Sequence, residues 1–455
     1  MNGSLAIPVY FGSGLDNAWL RDPSREYSRL AFPREFERLS HNVFRFPAKF
    51  HPPVVRRLIH RFSSPGQTVL DPFCGSGTTL VEGLVAGRAV VGTDIDPLSV
   101  LITRAKIQRY DIDYLDALAR GLAGDLARMR AADEKLWSGF ECEISSSDYA
   151  AASEELSPHI PAIPNIEHWF RRRVIVQLAA IKARMDRHRG TPAHLFFQLC
   201  FVSIIRNASN ADPVPVSGLE VTKHMLQREL HGRAVDPYSL LDAALRKAIE
   251  AMRRFRDQRA PGILGRCARA DVRHLSVRGT GIVDCVITSP PYLTAVDYYR
   301  RHTLEMFWLG LTATVAERRE IKPRYLGHDR LGERQAANVD ENHGTEIARR
   351  WLARVKLVKP ERARAFLHYC SGMSEALVRL TEIVRASKPI VLVVGNVRFC
   401  GAHISMPDLL TQLAAPHLDL VDRLWYPLVN RYMSYERKHG ADIDVDHVLI
   451  FRSRS

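Results

Sequence analysis

The run Gln67-Thr-Val-Leu-Asp71-Pro-Phe-Cys-Gly-Ser-Gly-Thr78, followed by Thr79–Ala86 and then Ala89-Val-Val-Gly-Thr-Asp94, decides how the chain is read. A brief β-rich stretch meets a glycine turn. The apolar spacing after it predicts a helix over 79–86 that ends near Gly87, and a second strand over 89–94, so 67–94 has the form of one βαβ unit. At such a strand-to-helix turn an open α/β sheet exposes backbone N–H groups and lets a ligand approach closely. It is not a phosphate-binding loop, because Gly75 and Gly77 are followed by Thr-Thr-Leu with no Gly-Lys-Ser/Thr. It also lacks the third glycine of a dinucleotide fingerprint, since position 80 is Leu. Asp94 ends the next strand, 17 residues after Gly77, where a carboxylate can accept hydrogen bonds from both hydroxyls of a ribose. An adenosine-containing ligand is the natural reading. The plainer alternative is that Gly75 and Gly77 only make a tight turn and that Asp94 only caps the helix near Pro97.

Working outward, strand texture returns at Ile282–Thr288, at Pro389–Gly395 and at His447–Arg452. Upstream, Pro52-Pro-Val-Val-Arg-Arg-Leu-Ile-His60 starts a short helix on its prolines. Between about 110 and 265 helical patterns dominate, as in Val174–Met185 and Leu240–Phe255, interrupted by a loop over Asn207–Gly218. That is too long for a simple crossover, so the chain reads as an α/β core carrying a large helical insertion. The expected divisions are an irregular N-terminal arm over 1–40, a first half of the core over 41–110, the insertion over 111–265 and a second half over 266–455.

The 455 residues are 46% hydrophobic and 25% charged, which excludes disorder throughout, collagen and a disulfide mini-scaffold. Lys plus Arg number 64 against 50 Asp plus Glu, a net +14 that should attract polyanions, nucleic acid first among them. A basic protein from an arginine-rich proteome has the same composition. Seven scattered cysteines with no C-x-x-C pair argue against a disulfide framework or a structural zinc site and fit a reducing cytoplasm. No signal-peptide pattern and no apolar run of roughly 18 residues is seen, so a soluble, cytoplasmic protein without a membrane partner and without a metal is expected.

Thr288-Ser-Pro-Pro-Tyr292 directly follows an apolar strand. Consecutive prolines stiffen the turn and leave their carbonyls as fixed acceptors. Ser289 Oγ and the Pro290 carbonyl can each accept from an exocyclic NH2 while Tyr292 stacks on the heterocycle. A nucleobase amine is a poor nucleophile because its lone pair is delocalised. Acceptors on both N–H bonds return that pair towards an electrophile and favour the charge that develops. Taken alone, the string equally suits a loop that merely ends a strand.

With both turns on the page, the sequence resembles the S-adenosylmethionine-dependent amino-methyltransferases of DNA, which act on cytosine N4 or adenine N6. Asp71–Thr78 resembles the family's cofactor motif and Thr288–Tyr292 its catalytic motif, in the form most often associated with N4-cytosine. The resemblance implies a Rossmann-like class I methyltransferase sheet with helices on both faces, S-adenosyl-L-methionine as cofactor and double-stranded DNA as partner, with a cognate restriction endonuclease as a possible companion. It implies cofactor contacts from Asp71, Phe73, Gly75, Gly77, Thr78 and Asp94, and catalytic roles for Ser289, Pro290, Pro291 and Tyr292. Arg45-Phe-Pro-Ala-Lys-Phe-His-Pro52 is similar to the segment that closes over the methionine end, which gives that role to Lys49 and Phe50. Asp271 resembles the acid near the cofactor adenine, and Val394-Gly-Asn396 a late motif beside the target base. A cytosine-C5 enzyme would need a cysteine nucleophile where Tyr292 stands. Ser289, where adenine enzymes typically carry Asp or Asn, favours cytosine N4, with adenine N6, an RNA base and a catalytically silent nucleic-acid-binding subunit as alternatives.

DNA contacts are expected from the insertion, where His168-Trp-Phe-Arg-Arg-Arg173 and Arg184-Met-Asp-Arg-His-Arg189 bracket an apolar helix, and from the charged stretch Arg318–Arg334. Solvated helix faces are the plainer reading of both runs. Tyr298 and Tyr299 are expected to line the base slot or the cofactor pocket, or to pack in the core.

Overall fold

The computed structural model describes residues 28–32, 36–137, 143–213, 219–275, 283–293, 297–327, 345–400, 402–428 and 445–454. Its centre is an eight-stranded sheet. The strands are β1 (Ser28–Arg29), β2 (Thr68–Asp71), β3 (Ala89–Asp94), β4 (Gly265–Arg269), β5 (Cys285–Thr288), β6 (Ile390–Gly395), β9 (Leu418–Pro427) and β10 (Val445–Ser453), while β7 (Val397–Phe399) and β8 (Ala402–Ile404) form a separate hairpin. The order across the sheet is β1-β9-β10-β6-β5-β2-β3-β4. The five strands from β6 to β4 run parallel, and β10 runs antiparallel between β6 and β9. This is a Rossmann-like α/β sheet.

The short apolar runs become strands covered on both faces. In β6, Ile390, Leu392 and Val394 pack with the helices Ala363–Ile383 and Met406–Ala414. Val391 and Val393 point the other way, into a cluster with Val54, Val55, Leu58 and Ile59 of the helix Pro52–Phe62. From β2 the chain moves outward to β3 and β4, then returns to place β5 on the other side of β2, in register Val69 to Cys285 and Leu70 to Val286. The strand order therefore reverses between β2 and β5, where an open α/β sheet leaves a crevice at the carboxyl ends of its strands. Both motif turns leave from that point.

Between β3 and β4, the helices Ile112–Trp137, Arg172–Met185, Pro192–Ala208 and Pro237–Gln258 pack around their own apolar core. That core is not closed by the insertion alone. Leu98, Ile102 and Ala105 reach it from the helix Pro97–Ile107, and Leu304, Met306, Phe307 and Trp308 reach it from the segment after the proline turn. Among the described residues no helix is long and apolar enough to cross a membrane.

Several details differ from the sequence reading. The strand expected over 282–288 is Cys285–Thr288, with Val283 held only by an isolated bridge to Val384; Ile282 lies outside the described residues. The helix Pro192–Ala208 runs into the expected loop, and residues 214–218 of that loop lie outside the description. Most of the expected arm also lies outside it, but Ser28 and Arg29 pair with Leu424 and Trp425 at the edge of the sheet. Strand β9 was not read at all, because as a near-edge strand its first half leaves Asp419, Leu420 and Val421 exposed and shows no apolar run.

Gly77 caps the helix Thr78–Val85 at φ +77°, and a Cβ there would lie 2.8 Å from both Thr103 Cγ2 and Oγ1. Gly77→Ala combines left-handed strain with this clash and is expected to destabilise the protein by about 2–4 kcal/mol. In a Thr103→Ala background the penalty should fall to about 1–2 kcal/mol, the backbone part. Urea denaturation of the four proteins in the cycle checks this.

Candidate active site

The two turns open into one cavity of about 290 Å³, close to the lower end of the range for small-ligand pockets. Of the residues singled out from sequence, Lys49, Phe50, Asp71, Phe73, Gly75, Thr78, Asp94, Asp271, Ser289, Pro290, Pro291 and Tyr292 all line it. Gly77 does not; it stands behind the turn, against Thr103.

Asp71, at the end of β2, is buried and accepts a 2.6 Å hydrogen bond from Thr288 Oγ1 at the end of β5, and a second at 3.2 Å from the Phe73 N–H. Burial pushes its carboxyl up to about 6 despite these donors. The Asp71–Thr288 bond fixes the first turn against the second.

Asp94 ends β3. Its Oδ2 accepts from the Gly75 N–H at 2.8 Å and its Oδ1 from the Asp96 N–H at 2.9 Å, and it spans the glycine turn from below. Each oxygen keeps a lone pair for a further donor. The helix cap is a different residue: Asp96 Oδ1 receives the Leu98 and Ser99 N–H groups. The capping role considered for Asp94 therefore belongs two residues on. Withdrawal from water, with the Asp96 charge adding to it, raises the Asp94 carboxyl to about 7.

Asp271 follows β4 by two residues, and its carboxylate is gripped by Arg273 at 2.9 Å through Nε and 2.6 Å through the second guanidinium nitrogen. Burial would raise its carboxyl, but the guanidinium outweighs that and leaves it lowered. Lys49 donates to the His41 carbonyl at 2.6 Å. Desolvation, then the Lys247 and Arg38 charges, lower its ammonium to about 8. Tyr298 lines the cavity and stacks on Phe46 at 5.4 Å, whereas Tyr299 is absent from the lining and carries Arg318 on its ring face at 4.0 Å.

Asp96, Ser99, Asp446 and Tyr325 also line the cavity and escaped the sequence reading, and two of them matter most. Asp446, on β10, accepts from Tyr292 Oη at 3.1 Å and from Tyr426 Oη at 2.9 Å. Burial raises its carboxyl to about 6. Tyr292 is thus held by its phenol at the mouth of the proline turn. Tyr325 is the other, and its hydroxyl is buried.

Of the arginines singled out for DNA, Arg173 and Arg318 are buried, whereas Arg187, Arg189, Arg319 and Arg324 are exposed. Arg171 pairs with Glu229 and Arg172 with Glu167, and Arg173 lies buried over the Trp137 ring at 5.4 Å. Arg189 pairs with Asp186. Arg318 is buried as well, and residues 328–334 of its stretch lie outside the described residues. A cation already matched by a neighbouring acid has less to gain from a phosphate.

Residues 12–104 match the family model described as DNA methylase, of N6/N4 type. The chain is 23% identical over 393 residues to the Type II methyltransferase M.MvaI of Kocuria varians, covering 79% of this chain and 77% of that one. It is 23% identical over 419 residues to the Type II methyltransferase M.BsoBI of Geobacillus stearothermophilus, covering 82% and 77%. These likenesses support an S-adenosylmethionine-dependent amino-methyltransferase of DNA. A shorter likeness, 34% identical over 104 residues, links the methyltransferase to a tRNA (guanine(10)-N2)-dimethyltransferase of Methanothermobacter thermautotrophicus, over 23% of this chain and 29% of that one.

The residues present suit the cofactor. The methyltransferase offers a carboxylate with free lone pairs at the end of β3, partly buried apolar surface at Phe73 beside it, and a glycine turn whose backbone is held open by Asp94. Asp446→Ala should leave two buried phenols without an acceptor and cost about 2–4 kcal/mol, while Asp446→Asn, which keeps one acceptor oxygen, should cost less. Urea denaturation ranks the two.

Proposed function

We propose that the enzyme methylates the exocyclic N4 amine of cytosine in double-stranded DNA, at a specific site, after turning the base out of the helix. S-adenosylmethionine supplies the electrophilic methyl carbon. The observation that carries the proposal is the convergence of Ser289, Pro290 and Tyr292 with Asp94 and Asp271 on one cavity. Asp94 is proposed to hold the ribose and Asp271 to lie beside the adenine. Lys49 and Phe50 are proposed to close over the methionine end. Ser289 Oγ and the Pro290 carbonyl accept from the amine, so that its lone pair turns to the methyl group and alignment supplies much of the rate. Tyr292, anchored through Asp446, presents its ring to the flipped base.

Ser289 is what favours cytosine over adenine in this reading. DNA is favoured over RNA because the matching family model is described as DNA methylase and the likeness to two Type II methyltransferases extends over most of the chain, whereas that to the tRNA enzyme stops at 23% of it. The helices between β3 and β4 are proposed to carry target recognition, and a cognate restriction endonuclease is the partner this reading brings with it.

Mass spectrometry of nucleosides after incubating DNA and RNA with the enzyme and methyl-labelled cofactor should find N4-methylcytosine in DNA. N6-methyladenine in its place would overturn the base assignment, and label confined to RNA would overturn the substrate. Tyr292→Ala should lose most transfer while binding S-adenosylhomocysteine as before.

The raised Asp94 carboxyl gives a pH dependence. In the free fold the protonated form is favoured, so this group's contribution to stability falls as pH rises from the ordinary 3.8 through about 7. Ribose hydroxyls donate better to the ionised form, so binding draws the proton off. Calorimetry should show S-adenosylhomocysteine affinity rising by up to about tenfold per pH unit below 7 and levelling above it. Asp94→Asn should flatten that rise.

A further inference from the structure

Lys322–Gly327 crosses from the charged helix Val315–Ile321 to the mouth of the cavity and is pinned on both sides. On one side, Arg318 donates to the Tyr299 carbonyl and lies on its ring, and the Tyr325 ring meets that of Tyr299 edge-on at 6.0 Å. On the other, Leu326 fills the notch over Gly372, where a Cβ would come within 2.4 Å of its Cδ2. Gly327, at φ +85°, lies so close to the Tyr292 carbonyl oxygen that a Cβ would sit 2.6 Å from it. Tyr325 is thereby held rigidly at the wall of the cavity.

Its residue is 7% exposed, yet among the described residues its hydroxyl has no hydrogen-bond partner. A buried unpaired hydroxyl is costly unless a ligand satisfies it. Burial first, then the Asp96 and Asp94 charges, keep the phenol protonated and therefore a donor. Asp96 is already committed on both oxygens, to the Leu98 and Ser99 N–H groups and to His302 Nδ1 at 2.6 Å. Asp94 retains lone pairs, but a carboxylate can only accept. A vicinal diol resting on Asp94 uses its O–H bonds there and leaves its own oxygen lone pairs seeking a donor. Among the cavity-lining residues, Tyr325 carries a buried, unpaired hydroxyl.

We propose that the Tyr325 hydroxyl donates a hydrogen bond to the cofactor ribose, completing with Asp94 a donor–acceptor clamp on its two hydroxyls. The proposal rests on the reading that places the adenosine at Asp94, and it is independent of whether the target base is cytosine or adenine.

Calorimetry compares wild type, Tyr325→Phe and Asp94→Ala with S-adenosylhomocysteine and with its 2′-deoxy and 3′-deoxy ribose analogues. Tyr325→Phe should bind S-adenosylhomocysteine roughly three- to tenfold more weakly, and that difference should vanish with the analogue lacking the bonded hydroxyl. The unliganded variant should melt no lower than wild type, since the hydroxyl it loses was unpaired. Equal affinity in Tyr325→Phe, or a loss of the same size with both deoxy analogues, overturns the proposal. If Asp94→Ala weakens binding while Tyr325→Phe does not, only the clamp fails. If neither does, the placement of the adenosine fails with it.

Discussion

The site depends on one hydrogen bond, the 2.6 Å contact between Thr288 Oγ1 and the buried Asp71 carboxylate, which joins residues 217 positions apart. The sheet brings β2 and β5 side by side, but register alone leaves the loops beyond the strand ends free to diverge. Placing a carboxylate at one strand end and a hydroxyl at the other pairs two buried polar groups across the strands, and that sets where each turn begins. The Phe73 N–H on the same carboxylate oxygen carries the constraint into the glycine turn, and the Asp94 carboxylate continues it through the Gly75 N–H. The cavity walls are thus linked by acceptors at the ends of neighbouring strands, where main-chain donors of the turns converge.

Those acceptors give the cavity its electrostatic character. Asp71, Asp94 and Asp446 are each raised by burial, to about 6, 7 and 6. Ionising each is disfavoured by lost hydration, and at Asp94 the Asp96 and Asp71 charges add to that. On the proposed reading, a cationic sulfonium held among them would favour their ionised forms.

How far the sequence discloses this depends on how local each signal is. The βαβ unit was legible because Val69, Leu70, Val90 and Val91 flank a glycine turn within one short segment, and because Asp94 stands at a strand end where position alone suggests its use. Thr288–Tyr292 was legible for the same reason. Asp446 was not: it sits in a strand whose apolar run is its visible feature, and its partners Tyr292 and Tyr426 are met only across the sheet. Tyr325 was hidden inside a charged stretch read for phosphate contacts, since nothing near it in the chain reveals that its hydroxyl is buried. The arginines of 171–173 are the reverse case. Their charge is plain in the sequence, while Glu229, which takes up Arg171, lies 58 residues away.

The same non-local logic ties the helical layer to the chemistry. Leu304 and Trp308, a short way beyond the proline turn, are fully buried in the core that the helices between β3 and β4 build. His302, in the same segment, bonds Asp96, which caps the helix that starts directly after the Asp94 strand end. A displacement of that layer is therefore transmitted by packed side chains to the segment behind the catalytic turn, and by a buried histidine–carboxylate bond to the cap beside the proposed ribose acceptor. Close-packed interiors resist gradual deformation, so the position of these helices is tied to that of the segments next to Asp94 and Pro290. The helices between β3 and β4 contribute no side chain to the cavity lining; they meet it indirectly, through the packing of Trp308 and the His302–Asp96 bond.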